Sequence, residues 1–203
     1  MNISNESTSN KSFLDDLSKD TVIFISGTPC TGKTTVAANL NDYLSDNGFD
    51  SKLIKINDFA FENDLVLGED PDKLYKVIDI DGLNECLSDE IDKSNDYVLI
   101  VEGHLSHLCE GADKMIVLRL NPSILKGRLE ERNYSESKIQ ENLEAEALAV
   151  CSAEAYEIYG ENTNEIDASD KSVEEIRDLI MAIASDKMEC PVGSIDFMEW
   201  LLQ

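Results

Sequence analysis

Gly27-Thr28-Pro29-Cys30-Thr31-Gly32-Lys33-Thr34, followed by Thr35, is the stretch that decides the fold of this 203-residue chain. It fits the phosphate-binding pattern G-x-x-x-x-G-K-[ST]. The four fixed positions match a chain of this length by chance about once in a hundred, and the surroundings lower that further. Before the loop, Thr21-Val-Ile-Phe-Ile-Ser26 is a β-branched and aromatic run of the kind that forms a buried strand. After it, Thr35 to Asn47 reads as a helix with Val36, Leu40, Tyr43 and Leu44 on one face, stopping at Gly48. A strand delivers the glycine-rich loop, whose amides wrap phosphates. Lys33 then neutralises β/γ charge, and the Thr34 hydroxyl can hold Mg²⁺.

The composition is that of one globular domain, 42% apolar, with no run approaching the roughly 20 apolar residues of a membrane span. Met1 to Asp20 is Ser/Asn-rich, lacks an apolar or basic leader, and is predicted to be a disordered or loosely docked extension. The five cysteines (30, 86, 109, 151 and 190) form no C-x-x-C pair, which argues for reduced thiols and a cytoplasmic setting. The net charge of −25 is read first as solubility or a salty cytoplasm, with a strongly basic partner such as a ribosomal protein as the sharper alternative. Direct, sequence-specific nucleic-acid binding is disfavoured, because phosphate contacts need a basic patch. Three of the four arginines, Arg119, Arg128 and Arg132, fall within fourteen residues, a cluster suited to phosphate.

Strand and helix signals alternate along the chain. Lys52 to Ile56 reads as a short strand, and Asn57 to Asp72, with six acidic residues and no Lys or Arg, as a mobile insert turning at residues 68–71. Ile80, Leu83, Leu87 and Ile91 mark a helix over 79–93. Tyr97 to Val101 and Met115 to Leu120 read as buried strands, the first ending in Glu102. Asn121-Pro122 opens a helix to about Arg132. A polar break at 133–135 precedes one long helix over 136–159. Asn164 to Ala168 is a fifth strand, and Ser172-Val-Glu-Glu175 is a capping box for a final helix. The pattern predicts an α/β fold with a parallel sheet covered by helices on both faces. The tail, Cys190 to Gln203, is too apolar to hang free and is expected to pack on the domain.

Several side chains sit where chemistry needs them. Glu102, at the end of a strand beside the phosphate loop, is placed to orient Mg²⁺ or its water. His104 can position a water or sense the nucleotide, with a structural histidine as the plainer alternative. His104 and His107 lack a third ligand nearby in sequence, which argues against zinc. Arg128 and Arg132, four apart on one helix, can swing over a transferring phosphoryl group; ion pairs with Glu130, Glu131 or Glu136 are the alternative. Arg119 is either a nucleotide contact or a buried ion pair.

Together, Gly27 to Thr35, Val-Glu-Gly-His-Leu-Ser-His at 101–107, Ile-Val-Leu-Arg at 116–119 and the stretch from Arg128 to Ala147 resemble the adenylate kinase isoenzyme 6 family. The archaeal members, which end in something like Gly-Ser-Ile-Asp-Phe-Met-Glu-Trp (193–200 here), are closest in style, and the resemblance spans about residues 21–200. It implies a P-loop nucleoside monophosphate kinase fold with a five-stranded parallel sheet, a monophosphate segment at about 55–78 and a short lid at about 131–141. The kinase domain would run over 21–187, with the tail at 188–203 packed on it. The implied activity is broad monophosphate kinase activity on AMP or a related acceptor, with a second ATPase activity. The implied setting is late small-subunit ribosome maturation (rRNA processing), through transient contact with ribosomal protein eleven of that subunit. Carried over by motif, ATP would meet Cys30, Gly32, Lys33, Thr34, Thr35 and Arg132. Glu102 and His104 match an acid-x-His pair tied to hydrolysis.

Three departures stand out. Cys30 replaces a loop glycine: a positive φ there would strain it, and otherwise its thiol would expose activity to oxidation. Glu102 replaces an aspartate of many members. Residues 57–72 offer no arginine to grip a monophosphate. The leading expectation is therefore an ATP:AMP phosphotransferase using Lys33, Arg128, Arg132, Glu102 and His104, with Mg²⁺ on Thr34 and Glu102. The competing reading is an ATP-switched assembly factor that chaperones a basic ribosomal protein. A small-metabolite kinase is a third.

Overall fold

The sheet predicted from the apolar runs is present. The computed structural model describes residues 13–69 and 76–202. In chain order its elements are β1 (Val22–Ser26), α1 (Lys33–Asp46), β2 (Ser51–Lys55), α2 (Ile56–Glu62), β3 (Val66–Glu69), β4 (Lys76–Ile78) and α3 (Ile80–Ile91). There follow β5 (Val98–Glu102), β6 (Lys114–Arg119), α4 (Pro122–Glu131), α5 (Glu136–Ala147), α6 (Val150–Tyr159), β7 (Thr163–Asp167) and α7 (Val173–Ala184). Five strands form one sheet in the order β2-β5-β1-β6-β7, and every neighbouring pair is parallel. β3 and β4 form a separate antiparallel hairpin.

Alternation along the central strands builds a core on each face. Ile23 and Ile25 of β1 meet α1 (Val36, Leu40, Leu44), α4 (Leu125, Leu129) and α7 (Ile176, Ile180, Ile183) on one side. Val22 and Phe24 meet α2 (Ala60), α3 (Leu83, Leu87) and α6 (Ala155) on the other. All five residues of β1 and of β5 are buried, as strands covered on both faces must be. Each large side chain so buried contributes about 1.5–3 kcal/mol of transfer free energy. The carboxyl ends of β1, β2 and β5 all open on the same edge, where an α/β sheet offers its ligand crevice.

The predicted caps form. Asn121 accepts from the Ser123 amide with Pro122 in the first turn of α4, and Ser172 and Glu175 make a reciprocal capping box on α7. The single helix expected over 136–159 is instead two, broken at Leu148 and Ala149, where a side chain distant in sequence intervenes. The Glu146 carbonyl, which a continuous helix would offer to the amide of residue 150, is taken by Arg119 Nη2 at 2.7 Å. The Ala149 amide closes the turn onto the same carbonyl at 3.1 Å, and Ala149 itself takes φ +56°.

The acidic stretch read as a mobile insert holds α2 and one strand of the β3–β4 hairpin; the rest of that stretch, residues 70–72, and the last two residues of the 68–71 turn lie outside the described residues. Ile56, read as the end of a strand, starts α2. Within the expected N-terminal extension, residues 13–16 form a helical turn and Leu17 is buried in the first core, while residues 1–12 lie outside the described residues. At the other end, Trp200 packs against the same core. The Cys190 carbonyl accepts from the Glu165 amide at 2.7 Å.

The largest fully buried polar side chain is Arg119, which resolves its two readings in favour of the ion pair. Its Nε donates to Glu146 Oε1 at 2.9 Å and its Nη1 to Glu165 Oε1 at 2.6 Å. Removing the guanidinium would leave two buried carboxylates unpaired. Arg119→Leu is therefore expected to cost about 3–5 kcal/mol of folding stability, measured as a lowered urea midpoint. A loss below about 1 kcal/mol would show that water reaches the cluster.

Candidate active site

The loop after β1 turns at Gly27, whose φ of +138° and lack of a side chain both matter: a Cβ there would lie 2.4 Å from the Leu118 carbonyl oxygen. The loop closes into α1 at Gly32, in the left-handed region at φ +109°. Lys33 follows as the first residue of α1 and is buried. Its Nζ donates to the Gly27 and Thr28 carbonyls, each at 2.9 Å, which aims the ammonium across the loop and leaves its third proton for a ligand. Burial pushes the Lys33 pKa down, opposed by the negative groups around it, Glu102 and Glu146 among them.

Thr34, exposed at the loop's end, donates from Oγ1 to Glu102 Oε1 at 3.0 Å. Glu102 closes β5 and is itself buried, held there by pairing on both sides with β1 and β2. The pair presents one hydroxyl and one carboxylate, hard oxygen donors of the type Mg²⁺ prefers.

His104 Nδ1 lies 3.2 Å from the Gly27 carbonyl. A carbonyl only accepts, so Nδ1 carries the proton, and a neutral ring keeps Nε2 as its open acceptor. Burial, then the Lys33 cation, pushes the His104 pKa down to about 4. His104 is nevertheless an exposed residue that lines the cleft, where water limits the burial contribution; the cation acts in the same direction, so the neutral ring is the form present near pH 7. His107 is separate: its ring, 5.9 Å away between centroids, bridges Ser26 Oγ and Glu154 Oε2, each at 2.8 Å. It fastens the loop after β5 to β1 and α6.

Arg128 Nη1 donates to the Cys30 carbonyl at 3.3 Å, and Arg132, at the end of α4, lines the same cleft as Lys33. The helix thus brings both cations to the phosphate loop. The cleft encloses about 430 Å³. On its loop side lie Cys30, Gly32, Lys33, Thr34 and Thr35; opposite them lie Lys55, Ile56, Asn57 and Asp58; Glu102 and His104 form the floor, and Arg132 and Tyr134 lie on the side of α4. Of the residues assigned from the sequence to ATP, Mg²⁺ or catalysis, all but Arg128 are among its walls; Arg119, the other candidate nucleotide contact, is not. Lys55, Asn57 and Asp58 fall within the expected monophosphate segment and Tyr134 within the expected lid, but the sequence reading singled out none of them. The position of Lys55 at the carboxyl end of a strand was the available signal.

Cys30 has φ +71°, the left-handed region that favours glycine and costs other residues about 1 kcal/mol. The strained alternative for this thiol is the one the structure adopts. Cys151, close to Lys33 and His104, has its thiol pushed up to about 12 by burial, which keeps it an inert packing group.

The sequence pattern of the AAA domain family matches residues 23–149, from β1 through the turn between α5 and α6. A protein of Methanothermobacter thermautotrophicus named "Putative adenylate kinase" is 42% identical over 181 residues, covering 89% of this chain and 99% of its own. Another of that name, from Methanocaldococcus jannaschii, is 38% identical over 87% of this chain and 93% of its own. The chain belongs to this family. Among solved structures, the Bacillus subtilis YorR protein, in complex with phosphorylated GDP, superposes with a TM-score of 0.53 over 79% of this chain and 94% of its own. At 22% identity that likeness concerns the fold alone. The P-loop, the acid at the end of β5 and the arginines of α4 are thus features of a family member with a P-loop kinase fold.

Replacing Cys30 by glycine removes the conformational strain but returns backbone freedom to the unfolded chain. Cys30→Gly is expected to stabilise the fold by up to about 1 kcal/mol, read as a higher thermal midpoint. A fall of more than about 1 kcal/mol would mean that packing of the thiol against the first core outweighs the strain.

Proposed function

We propose that the protein transfers the γ-phosphoryl group of ATP to AMP or another nucleoside monophosphate, and hydrolyses ATP when no acceptor is in place. The observation that carries this reading is the single cleft with a phosphate loop on one wall, cations from α4 beside it, and a further wall built from β2 and α2. Such a cleft has room for a donor and an acceptor phosphate. Lys33, Arg128 and Arg132 would neutralise the charge that spreads over the phosphoryl oxygens in transfer. Thr34 and Glu102 would hold Mg²⁺, which supplies charge neutralisation at the phosphates. His104, with Nε2 open, would orient a water, so hydrolysis needs no second site. The turn at Arg132–Ser135 is the segment that would cover the donor and exclude that water during transfer. Five free thiols suit a reducing, cytoplasmic setting.

A second reading, the ATP-switched assembly factor, is favoured by the net charge of −25 and by the exposed Tyr156 and Ile158 of α6. An acidic surface with apolar residues suits a basic protein, such as ribosomal protein eleven of the small subunit, and rRNA maturation would then be the setting. The cations beside the phosphate loop favour transfer as the primary chemistry.

The test follows ADP and free phosphate together, from ATP and Mg²⁺, with each monophosphate added in turn. ADP formation that depends on AMP or a close relative, with little phosphate release, supports the kinase. Phosphate release indifferent to every monophosphate rejects it in favour of the assembly factor. Lys33→Ala is expected to lower both activities by about a hundredfold or more; retention of either would place its chemistry outside this cleft.

A further inference from the structure

Transfer between two phosphates needs a cation on each. The arm from Asn57 to Asp72 supplies no arginine for the acceptor, a gap that counts against the kinase as long as only the sequence is considered. The structure offers a replacement. Among the described residues, three basic side chains line the cleft: Lys33, Arg132 and Lys55. Lys33 is fastened to the phosphate loop by two carbonyls, and Arg132 ends the helix whose Arg128 holds the same loop. Both belong to the donor side. Lys55 ends β2 on the far wall, beside Asn57 and Asp58.

Its placement is fixed by the sheet. Lys55 is in register with Glu102 of β5, so the two side chains rise on the same face about 4.8 Å apart at the backbone. Ile54, before it in the strand, packs in the opposite core, and Lys55 itself lines the cleft. Lys55 is exposed, and among the described residues no carboxylate lies in ion-pair contact with it, although Glu102 and Asp58 share the cleft. Glu102 is instead engaged by Thr34. Among the described residues Lys55 is therefore committed to no ion-pair partner.

We infer that Lys55 is the residue that grips the phosphate of the acceptor, in the place where an arginine of the arm would otherwise act. The inference rests on the kinase reading for its functional setting. Its chemistry, a lysine recognising a dianionic monoester, is independent of whether transfer follows. An ammonium is a point charge without the fixed fork of a guanidinium, so it selects for phosphate and is indifferent to the base.

Equilibrium binding of AMP and of adenosine is compared for the wild type, Lys55→Met and Lys55→Arg, with KM values for AMP and ATP alongside. Lys55→Met is expected to weaken AMP about tenfold or more, to leave adenosine within about twofold, and to raise KM for AMP more than KM for ATP. Lys55→Arg restores most of the AMP affinity. AMP binding unchanged in Lys55→Met, equal losses for AMP and adenosine, or a wild type that binds no monophosphate would overturn the inference. A wild type that binds AMP through Lys55 yet never phosphorylates it would leave the inference standing and remove the kinase reading.

Discussion

The buried clasp around Arg119 is the interaction on which the rest of the molecule depends. One guanidinium and two carboxylates lie together in the interior, and every carboxylate oxygen has a partner. Glu146 Oε1 accepts from Arg119 Nε and from the Leu120 amide, each at 2.9 Å, and its Oε2 accepts from Thr28 Oγ1 in the phosphate loop. Glu165 divides its oxygens between Arg119 and the Gly193 amide. Five parts of the chain are thereby joined: the phosphate loop, β6, the last turn of α5, β7 and the tail. A buried ionic cluster of this kind adds little net stability over an apolar substitute, but breaking it in part is costly. Its value here is geometric. It sets where the phosphate loop sits relative to α5, the helix that follows the turn whose Arg132 and Tyr134 line the cleft.

Charge is distributed with the same economy. The chain carries a net −25, a field that repels anionic nucleotides. Binding must come from cations collected at one place, and Lys33, Arg128, Arg132 and Lys55 are gathered at the carboxyl ends of the strands. Glu102, the acid among them, is turned toward Thr34, whose hydroxyl donates to it.

Much of this architecture was legible in the sequence because it rests on local rules. The apolar runs announced the strands, Asn121-Pro122 and Ser172–Glu175 announced two helix starts, and the glycine spacing announced the phosphate loop. What was not legible depends on contacts distant in sequence. The break after Ala147 has no glycine or proline to signal it, since it arises when Arg119, 27 residues earlier, takes a helical carbonyl. The role of Arg119 was undecided for the same reason: its partners, Glu146 and Glu165, are two among 42 acidic residues. Lys55, the first residue of the expected monophosphate segment, was not singled out because a strand-end lysine is common, and only its place beside Glu102 in the cleft marks it.

The central claim is that one cleft holds a donor and an acceptor phosphate at once. The most direct measurement is calorimetric binding of two adenosines joined through five phosphates, compared with ATP. Two subsites in one cleft predict a single molecule bound per chain, about a hundredfold or more tighter than ATP, because the second end binds at high effective concentration. An affinity no better than that of ATP would contradict the account and leave a site for the donor alone.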